Sequence, residues 1–481
     1  MTKKINVIFE DKEIEGIAGT NLYKFLLDNN IFIQGPCGGN GICGKCQILV
    51  NGKKVLACKT ILKKDIKIEL IEDDNVLSQI LLKTQLLNNI KSQKNGFGLA
   101  IDIGTTTIAI YFMDLTKAKL LKAVGILNPQ YIFGSDVLSR IHNSNISKEN
   151  LKKMNKLLID SLNIEISKLT KKYNISKIEE TVIVGNTIMQ HYLMNLDPKT
   201  IGVSPFKALT LEGHVFSGDS IGLKKCDLVR VFPMISGYVG GDILSGIYAT
   251  EIAENNDISL FLDIGTNGEI VLGNKESIFT CATAAGPAFE GGNISCGMAS
   301  LEGAIDNFIY KDDTLYYTTI GDKKAKGICG SGILKLIAIL RQNGIIDENG
   351  YMEDTFYINK NIYLTQKDIR EIQLCKGAIS AGIRTLVNAK NISYKQIDHV
   401  YLAGGFGSHL DQDSALYLKM LPSEIADKIK VVGNTAGFGT ILNLLIDDDF
   451  EKIEEIKNKV EYIELSNNIK FQDYFIDGMY F

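Results

Sequence analysis

The sequence predicts a small β-rich domain, a short connector, and a larger α/β region built on an internal duplication. Three observations carry this expectation. Four of the nine cysteines lie within the first 58 residues, three of them inside one glycine-rich loop. A strand running into Asp-Ile-Gly-Thr occurs twice, with its aspartates, Asp102 and Asp263, 161 residues apart, which is a duplication rather than a short repeat. Between the two regions, residues 76–90 carry Val76, Leu77, Ile80, Leu81, Leu86, Leu87 and Ile90 at helical spacings. The chain has 481 residues, room for roughly three domains at about 150 residues each.

Composition narrows the function classes. Hydrophobic residues make up 45% and charged residues 22%, the balance of a globular chain rather than a disordered one. Fifty-two basic against 56 acidic side chains leave a net charge of −4, too near neutral for a dedicated nucleic-acid binder. No apolar run reaches the roughly 18 residues of a membrane span. The lysines of Met1-Thr-Lys-Lys-Ile-Asn are not followed by an apolar signal core. A cytoplasmic location with no membrane and no nucleic-acid partner is therefore expected, and cysteines there favour metal binding or buried thiols over disulfides.

The first 72 residues read as one unit. Lys4–Phe9 alternates like a strand and Ile14–Ile17 can pair back across Asp11-Lys12. Thr20 is placed to cap a short helix over 21–29, whose Leu22, Phe25 and Leu26 share a face. After the cysteine loop, Gln47–Val50 and Ile66–Ile71 read as strands, with Asn51-Gly52 as a hairpin turn. The cysteine spacing is Cys37-x5-Cys43-x2-Cys46-x11-Cys58. Four thiolates can hold a [2Fe–2S] cluster, two on each iron, and the loop's glycines let backbone N–H groups point at the sulfurs. A zinc knuckle is the alternative, although zinc sites usually pair two Cys-x2-Cys units or add histidines, and no second pair is present. The following apolar stripe is read as a connector helix, with partner docking as the other option, and Lys94-Asn95-Gly96 as a flexible joint about which the small domain moves.

The larger region opens on Leu99-Ala-Ile-Asp-Ile-Gly-Thr-Thr-Thr107, matched by Phe261-Leu-Asp-Ile-Gly-Thr-Asn-Gly-Glu269. Each turn sets backbone N–H groups and hydroxyls, suited to phosphate oxygens, beside a carboxylate that can hold Mg²⁺ through its waters. Val400-Tyr-Leu-Ala-Gly-Gly-Phe-Gly407 is a strand running into a turn with little side-chain bulk, open to a nucleoside. Ile183-Val-Gly-Asn-Thr187 and Val431-Val-Gly-Asn-Thr435 each look like a strand end opening a helix. Glu290, among the glycines of 285–292, either orients a water or is merely solvated. The five histidines show no ligand spacing, and Cys329 is expected to be a buried small residue.

Together these segments resemble the actin, sugar-kinase and heat-shock ATPase superfamily over about residues 97–447. That resemblance implies a two-lobed α/β actin-like ATPase fold. It implies phosphate binding by Asp102 and Gly104, Thr105, Thr106 and Thr107, and by Asp263 and Gly265, Thr266 and Asn267, with adenosine at Gly404, Gly405, Phe406 and Gly407. Over the whole chain, the Cys-Gly-Gly-x-Gly-x-Cys-Gly-Lys-Cys loop fused to such an ATPase looks like the reductive activators of corrinoid proteins. Asn128-Pro-Gln130, Gly134-Ser-Asp136 with Arg140, Gly240-Gly-Asp242, 285–292 and Gly327-Ile-Cys-Gly-Ser-Gly332 resemble the same family. Larger members carry an extra domain where this chain has only the connector.

The resemblance implies an α+β ferredoxin-like β-grasp domain at 1–72, a connector at 73–96 and the actin-like ATPase at 97–481. Its lobes are expected at about 97–257 and 258–447, followed by a segment 448–481. The implied activity is ATP-dependent return of inactive Co(II) to Co(I), with the electron coming from the [2Fe–2S] cluster. The implied cofactors are that cluster, on Cys37, Cys43, Cys46 and Cys58, with ATP and Mg²⁺; Asp102, Asp263 and Glu290 are the catalytic candidates. The implied partners are a corrinoid protein and an upstream low-potential electron donor, with homodimerisation left open. A small-molecule kinase regulated by the cluster is the alternative, and a chaperone-like ATPase a third option.

Overall fold

A computed structural model describes residues 4–9, 12–29, 31, 46–70, 92, 94–265, 267–312, 314–446 and 449–481. Cys37, Cys43, Thr266 and the apolar stripe at 76–90 lie outside the described residues.

The small domain is a five-stranded sheet in the order β2-β1-β5-β3-β4. Its strands are β1 (Lys4–Phe9), β2 (Lys12–Ile17), β3 (Gln47–Val50), β4 (Lys53–Leu56) and β5 (Ile66–Leu70). β1 and β5 run parallel and the other pairs antiparallel. Asn51 and Gly52 join β3 to β4 with φ of 50° and 75°, the left-handed pair that a two-residue hairpin turn requires. The helix Leu22–Asp28 lays Leu22, Tyr23, Phe25 and Leu26 on the sheet, and Ile5, Val7, Ile48 and Ile68 complete the core.

The duplication in sequence is a duplication of topology. The first lobe holds β6 (Phe97–Ile103), β7 (Thr107–Asp114), β8 (Lys119–Leu127), β9 (Ile178–Gly185), β10 (His214–Ser217) and β11 (Cys226–Val231), ordered β10-β11-β9-β6-β7-β8. The second is built on β12 (Ser259–Ile264), β13 (Gly268–Gly273) and β14 (Ile278–Thr283), with β20 (His399–Ala403), β21 (Ile429–Gly433) and β22 (Val460–Tyr462), ordered β21-β20-β12-β13-β14-β22. In each lobe an antiparallel meander, β6-β7-β8 or β12-β13-β14, is extended by two parallel strands, β9-β11 or β20-β21. The intervening β15 (Ala304–Lys311), β16 (Thr314–Thr319) and β17 (Gly327–Ile328) form a small sheet of their own, and β18 (Phe356–Asn359) pairs with β19 (Ile362–Leu364).

β6 and β12 are apolar almost throughout because both faces are covered. Leu99, Ile101 and Ile103 face a core belonging to the first lobe. Leu260, Leu262 and Ile264 face the core of the second. Between them, Ala100 and Phe261 point into a core the lobes share, with Tyr111, Val182, Val271 and Ala403. The helices Gly241–Thr250 and Thr435–Leu445 also line this shared core. The second of these follows β21 in sequence yet packs on the first helix and on β6 and β9, so it crosses from one lobe to the other. After 448 the chain touches both lobes: the helix Asp449–Lys459 packs on the first lobe's helix Gly241–Thr250 and sets Phe450 against Phe232, while β22 extends the second lobe's sheet beside β14 and the helix Ile469–Gly478 packs on the helix Gln366–Ala389.

The sequence reading of a flexible joint at Lys94–Gly96 is not what the structure shows. Lys94 pairs with the buried Glu180 at 2.9 Å, which also meets Arg230 at 3.2 Å. The Gly96 N–H donates to Thr116 Oγ1, and its carbonyl accepts from Leu115. Gly96 has φ +90°, and a Cβ there would lie 2.4 Å from the Glu179 carboxyl. Residues 94–98 are therefore fixed to the first lobe.

Candidate functional site

Strand alternation decides where the two aspartates point. Asp102 lies two residues beyond Ala100 on β6, and Asp263 two beyond Phe261 on β12, so both share the face that looks at the other lobe. Both carboxylates lie at the strand ends, where they are half-buried.

Two further carboxylates, which sequence reasoning did not assign to catalysis, join them. Glu269 is the direct cross-strand partner of Asp263 and, two residues before Val271, shares its interlobe face. Asp242 opens the helix Gly241–Thr250. Burial pushes Asp102 up to about 6, against the pull of the Asn434 amide. Burial, then the charge of Asp102, pushes Asp263 up to about 7. Burial, then Asp102 and Asp263, pushes Asp242 up to about 8, and Glu269 is raised well above the usual range by burial, Asp242 and Asp263. The four carboxyls thus converge where β6 and β12 end and where β13 and the helix Gly241–Thr250 begin, each held above its ordinary range. Among the described residues no group of three or more histidine, cysteine, aspartate or glutamate side chains is set to hold a metal ion.

The two turns are closed alike. Gly104 N–H donates to Thr107 O at 3.0 Å and Gly265 N–H to Asn267 O at 2.9 Å, so these two N–H groups are used inside the turns. Side chains grip the first turn from behind. Asn128 donates to Gly104 O (2.9 Å), Arg140 Nη2 to Thr105 O (2.6 Å) and Asn186 to Thr105 Oγ1 (3.0 Å). The paired Val-Gly-Asn-Thr segments do open helices. Asn186 caps Thr187–Leu193, and Asn434 caps Thr435–Leu445 while donating its amide to Asp102 Oδ2 at 2.9 Å and Tyr111 OH at 3.1 Å.

Gly404–Gly407 forms one helical turn after β20. Gly404 has φ +81°, and a Cβ there would lie 2.4 Å from Asp263 Oδ1, so only glycine lets this turn approach the aspartate. Phe406 stacks on Phe289, with ring centroids 4.3 Å apart at 8°. The neighbouring Glu290 is exposed, and its Oε1 is 3.9 Å from where a Gly265 Cβ would sit. The structure thus sets Gly404 beside Asp263 and Glu290 near Gly265, with Asp102 close enough to Asp263 to act on its charge.

Of the four cysteines of the predicted cluster, Cys46 and Cys58 are among the described residues. Cys46 Sγ and Cys58 Sγ lie 3.0 Å apart, and the Cys58 N–H points at Cys46 Sγ (3.4 Å). The thiols are too far apart for a disulfide, and Cys46 Sγ is placed to donate to Cys58 Sγ. Cys46 is fully buried; the Asn21 amide holds the Cys58 carbonyl at 2.7 Å. Among the described residues no helix is long and apolar enough to cross a membrane.

Comparison with known proteins agrees with this geometry. Residues 97–255 match the family model described as the RACo middle region, and 257–481 match the C-terminal domain of RACo, the ASKHA domain. The chain is 30% identical over 465 residues to the corrinoid activation enzyme RamQ of Eubacterium limosum, covering 88% of this chain and 77% of that protein. It is 25% identical over 421 residues to the [Co(II) methylated amine-specific corrinoid protein] reductase of Methanosarcina barkeri, covering 79% and 76%. Among solved structures, a reductive activator for corrinoid, iron–sulfur protein matches with a TM-score of 0.70 and 30% identity over 99% of this chain and 98% of that one.

Proposed function

We propose a mechanism for this chain on the premise that it belongs to the family of reductive activators of corrinoid proteins. It is an enzyme of reductive corrinoid activation with an ATP-binding ASKHA domain. A [2Fe–2S] centre in a ferredoxin-like domain would supply the single electron that returns a corrinoid protein's Co(II) to Co(I), and ATP bound between the lobes would be used in the exchange. The domain limits proposed are 1–72, 73–96 and 97–481, with lobes 97–257 and 258–447 and the segment 448–481. The observation that carries the reading is the pairing, in one chain, of close-set thiols at Cys46 and Cys58 with a carboxylate cleft between two duplicated lobes.

Cys37, Cys43, Cys46 and Cys58 would hold the cluster, which when bound supplies a one-electron carrier. Asp102 and Asp263 would hold hydrated Mg²⁺ against the phosphates, with Asp242 and Glu269 completing the charge. Asn434 aims Asp102, and Asn128 and Arg140 fix the carbonyls of the first turn so that its remaining N–H groups can face phosphate. Glu290, at the rim beside Gly265, is placed to orient a water. ATP can bias reduction only by binding one state of the complex more tightly than another, so its effect is expected to run through the lobes' grip on the corrinoid protein. The weaker alternative is a small-molecule kinase, which the names of the relatives do not favour.

The test is the anaerobically purified full chain. It should carry two irons, as one four-cysteine [2Fe–2S] centre does, and turn over ATP faster when a corrinoid protein is added. Cys58→Ala should bleach the chain and keep nucleotide binding. Asp102→Ala and Asp263→Ala should each lose roughly tenfold or more of ATP turnover with an unchanged spectrum. Zinc in place of iron, or full ATP turnover in both aspartate variants, would sink the reading.

A further inference from the structure

The small domain touches both lobes. From the first, Tyr131 packs against the small domain's apolar core, and its hydroxyl lies 2.6 Å from that of Tyr23. From the second, Glu302 lies 3.7 Å from Lys54 Nζ. The lysine contact is exposed and contributes little; the tyrosine contact is enclosed, with Tyr23 4% exposed.

Tyr131 is also tied to the first phosphate turn. It stands in the short helix Pro129–Phe133, capped by Asn128, which accepts the Gln130 N–H at 3.0 Å and donates to Gly104 O at 2.9 Å. At the other end of this helix, the fully buried Arg140 donates from Nε to Gly134 O (2.9 Å) and from Nη2 to Thr105 O (2.6 Å). The two side chains that grip the carbonyls of the turn therefore also fix both ends of the segment carrying Tyr131.

We propose that Tyr131 and Tyr23 form a seat that couples nucleotide binding in the cleft to release of the small domain. The proposal rests on the reading of the cleft as an ATP site. Phosphate held at the first turn acts, through Asn128 and Arg140, on both ends of the segment that carries Tyr131. Nucleotide then opens the seat, and an open seat tightens nucleotide binding by the same factor. The seated domain keeps Tyr131 against the apolar core that includes Cys46 and Cys58; the released one is free to present those thiols to a partner.

Hydrogen exchange of the full chain, with and without Mg²⁺ and a non-hydrolysable ATP analogue, tests this. The analogue should raise exchange in residues 22–28 by about two- to tenfold, the range a single hydroxyl hydrogen bond can carry. Tyr131→Phe should raise it without nucleotide and tighten the analogue by a similar factor, and Tyr23→Phe should do the same. A merely structural contact would alter exchange and leave affinity alone. Analogue binding with no change in residues 22–28, or unchanged affinity in both variants, overturns the proposal while the ATP site stands. Failure of the analogue to bind at all would overturn the ATP site, and this proposal with it.

Discussion

Asp263 and Glu269 stand directly opposite each other on adjacent strands, a like-charge pairing that destabilises a sheet. With Asp102 and Asp242 nearby, the cost of ionising these groups falls on the folded state. The sign follows from proton counting. Carboxyls that titrate near 4 when unfolded are raised to about 6, 7 and 8 at Asp102, Asp263 and Asp242, so between those limits the folded chain binds more protons than the unfolded one. Their contribution to stability is full below about pH 4 and lost as pH rises through 6 to 8. The melting temperature without added cation should fall across this window. Mg²⁺ should recover more of it at pH 8 than at pH 5, and Asp242→Asn should raise it by a few degrees at pH 8 while weakening Mg-ATP turnover. A flat melting temperature from pH 5 to 8, or an equal Mg²⁺ effect at both ends, would contradict a cluster of strained carboxyls.

The turn after β21 joins stability to chemistry within one element. Asn434 caps the crossing helix Thr435–Leu445 and holds Asp102, and one turn on Gly437 leaves room for Tyr111, whose hydroxyl would lie 2.5 Å from a Cβ there. Asn434→Ala should cost about 1 kcal/mol through the lost cap and lower ATP turnover as well, because Asp102 loses its donor. Gly437→Ala should cost about 1–3 kcal/mol through overpacking. Denaturant unfolding beside an ATPase assay separates the two effects, and an Asn434→Ala chain with normal turnover would remove the positioning role. Much of this architecture was legible beforehand. The paired Asp-Ile-Gly-Thr turns foretold two lobes, Asn51-Gly52 a hairpin, and both Val-Gly-Asn-Thr segments a strand end with a helix start. The roles of Asp242 and Glu269 were not legible, because one opens a helix and the other faces Asp263 only through strand register, a pairing that no spacing along the chain encodes. The fixed path of 94–98 was hidden for the same reason: its partners, Thr116, Glu179 and Glu180, are far off in sequence, and Lys-Asn-Gly by itself reads as a joint.

At the scale of the whole molecule, the small domain has two kinds of attachment to the lobes. One is the seat, which among the described residues includes the Tyr23–Tyr131 hydroxyl pair, the packing of Tyr131 on the small domain's apolar core and the exposed Lys54–Glu302 ion pair. The other is covalent, and it enters the first lobe at Lys94, which Glu180 anchors. The chain connection therefore sets the effective concentration of the small domain near the two lobes. Cleaving the folded full chain at a protease site inserted at residue 92, ahead of that anchor, tests the point without asking either part to fold alone. Nucleotide binding and the visible spectrum should survive the cut. Cobalt reduction at micromolar protein should fall by roughly tenfold or more on dilution, and recover as the cleaved protein is concentrated. Reduction that is indifferent to the cut and to dilution would mean that the seat alone holds the domain in place. Reduction that persists after the cleaved small domain is removed would mean that the electron does not travel through Cys46 and Cys58.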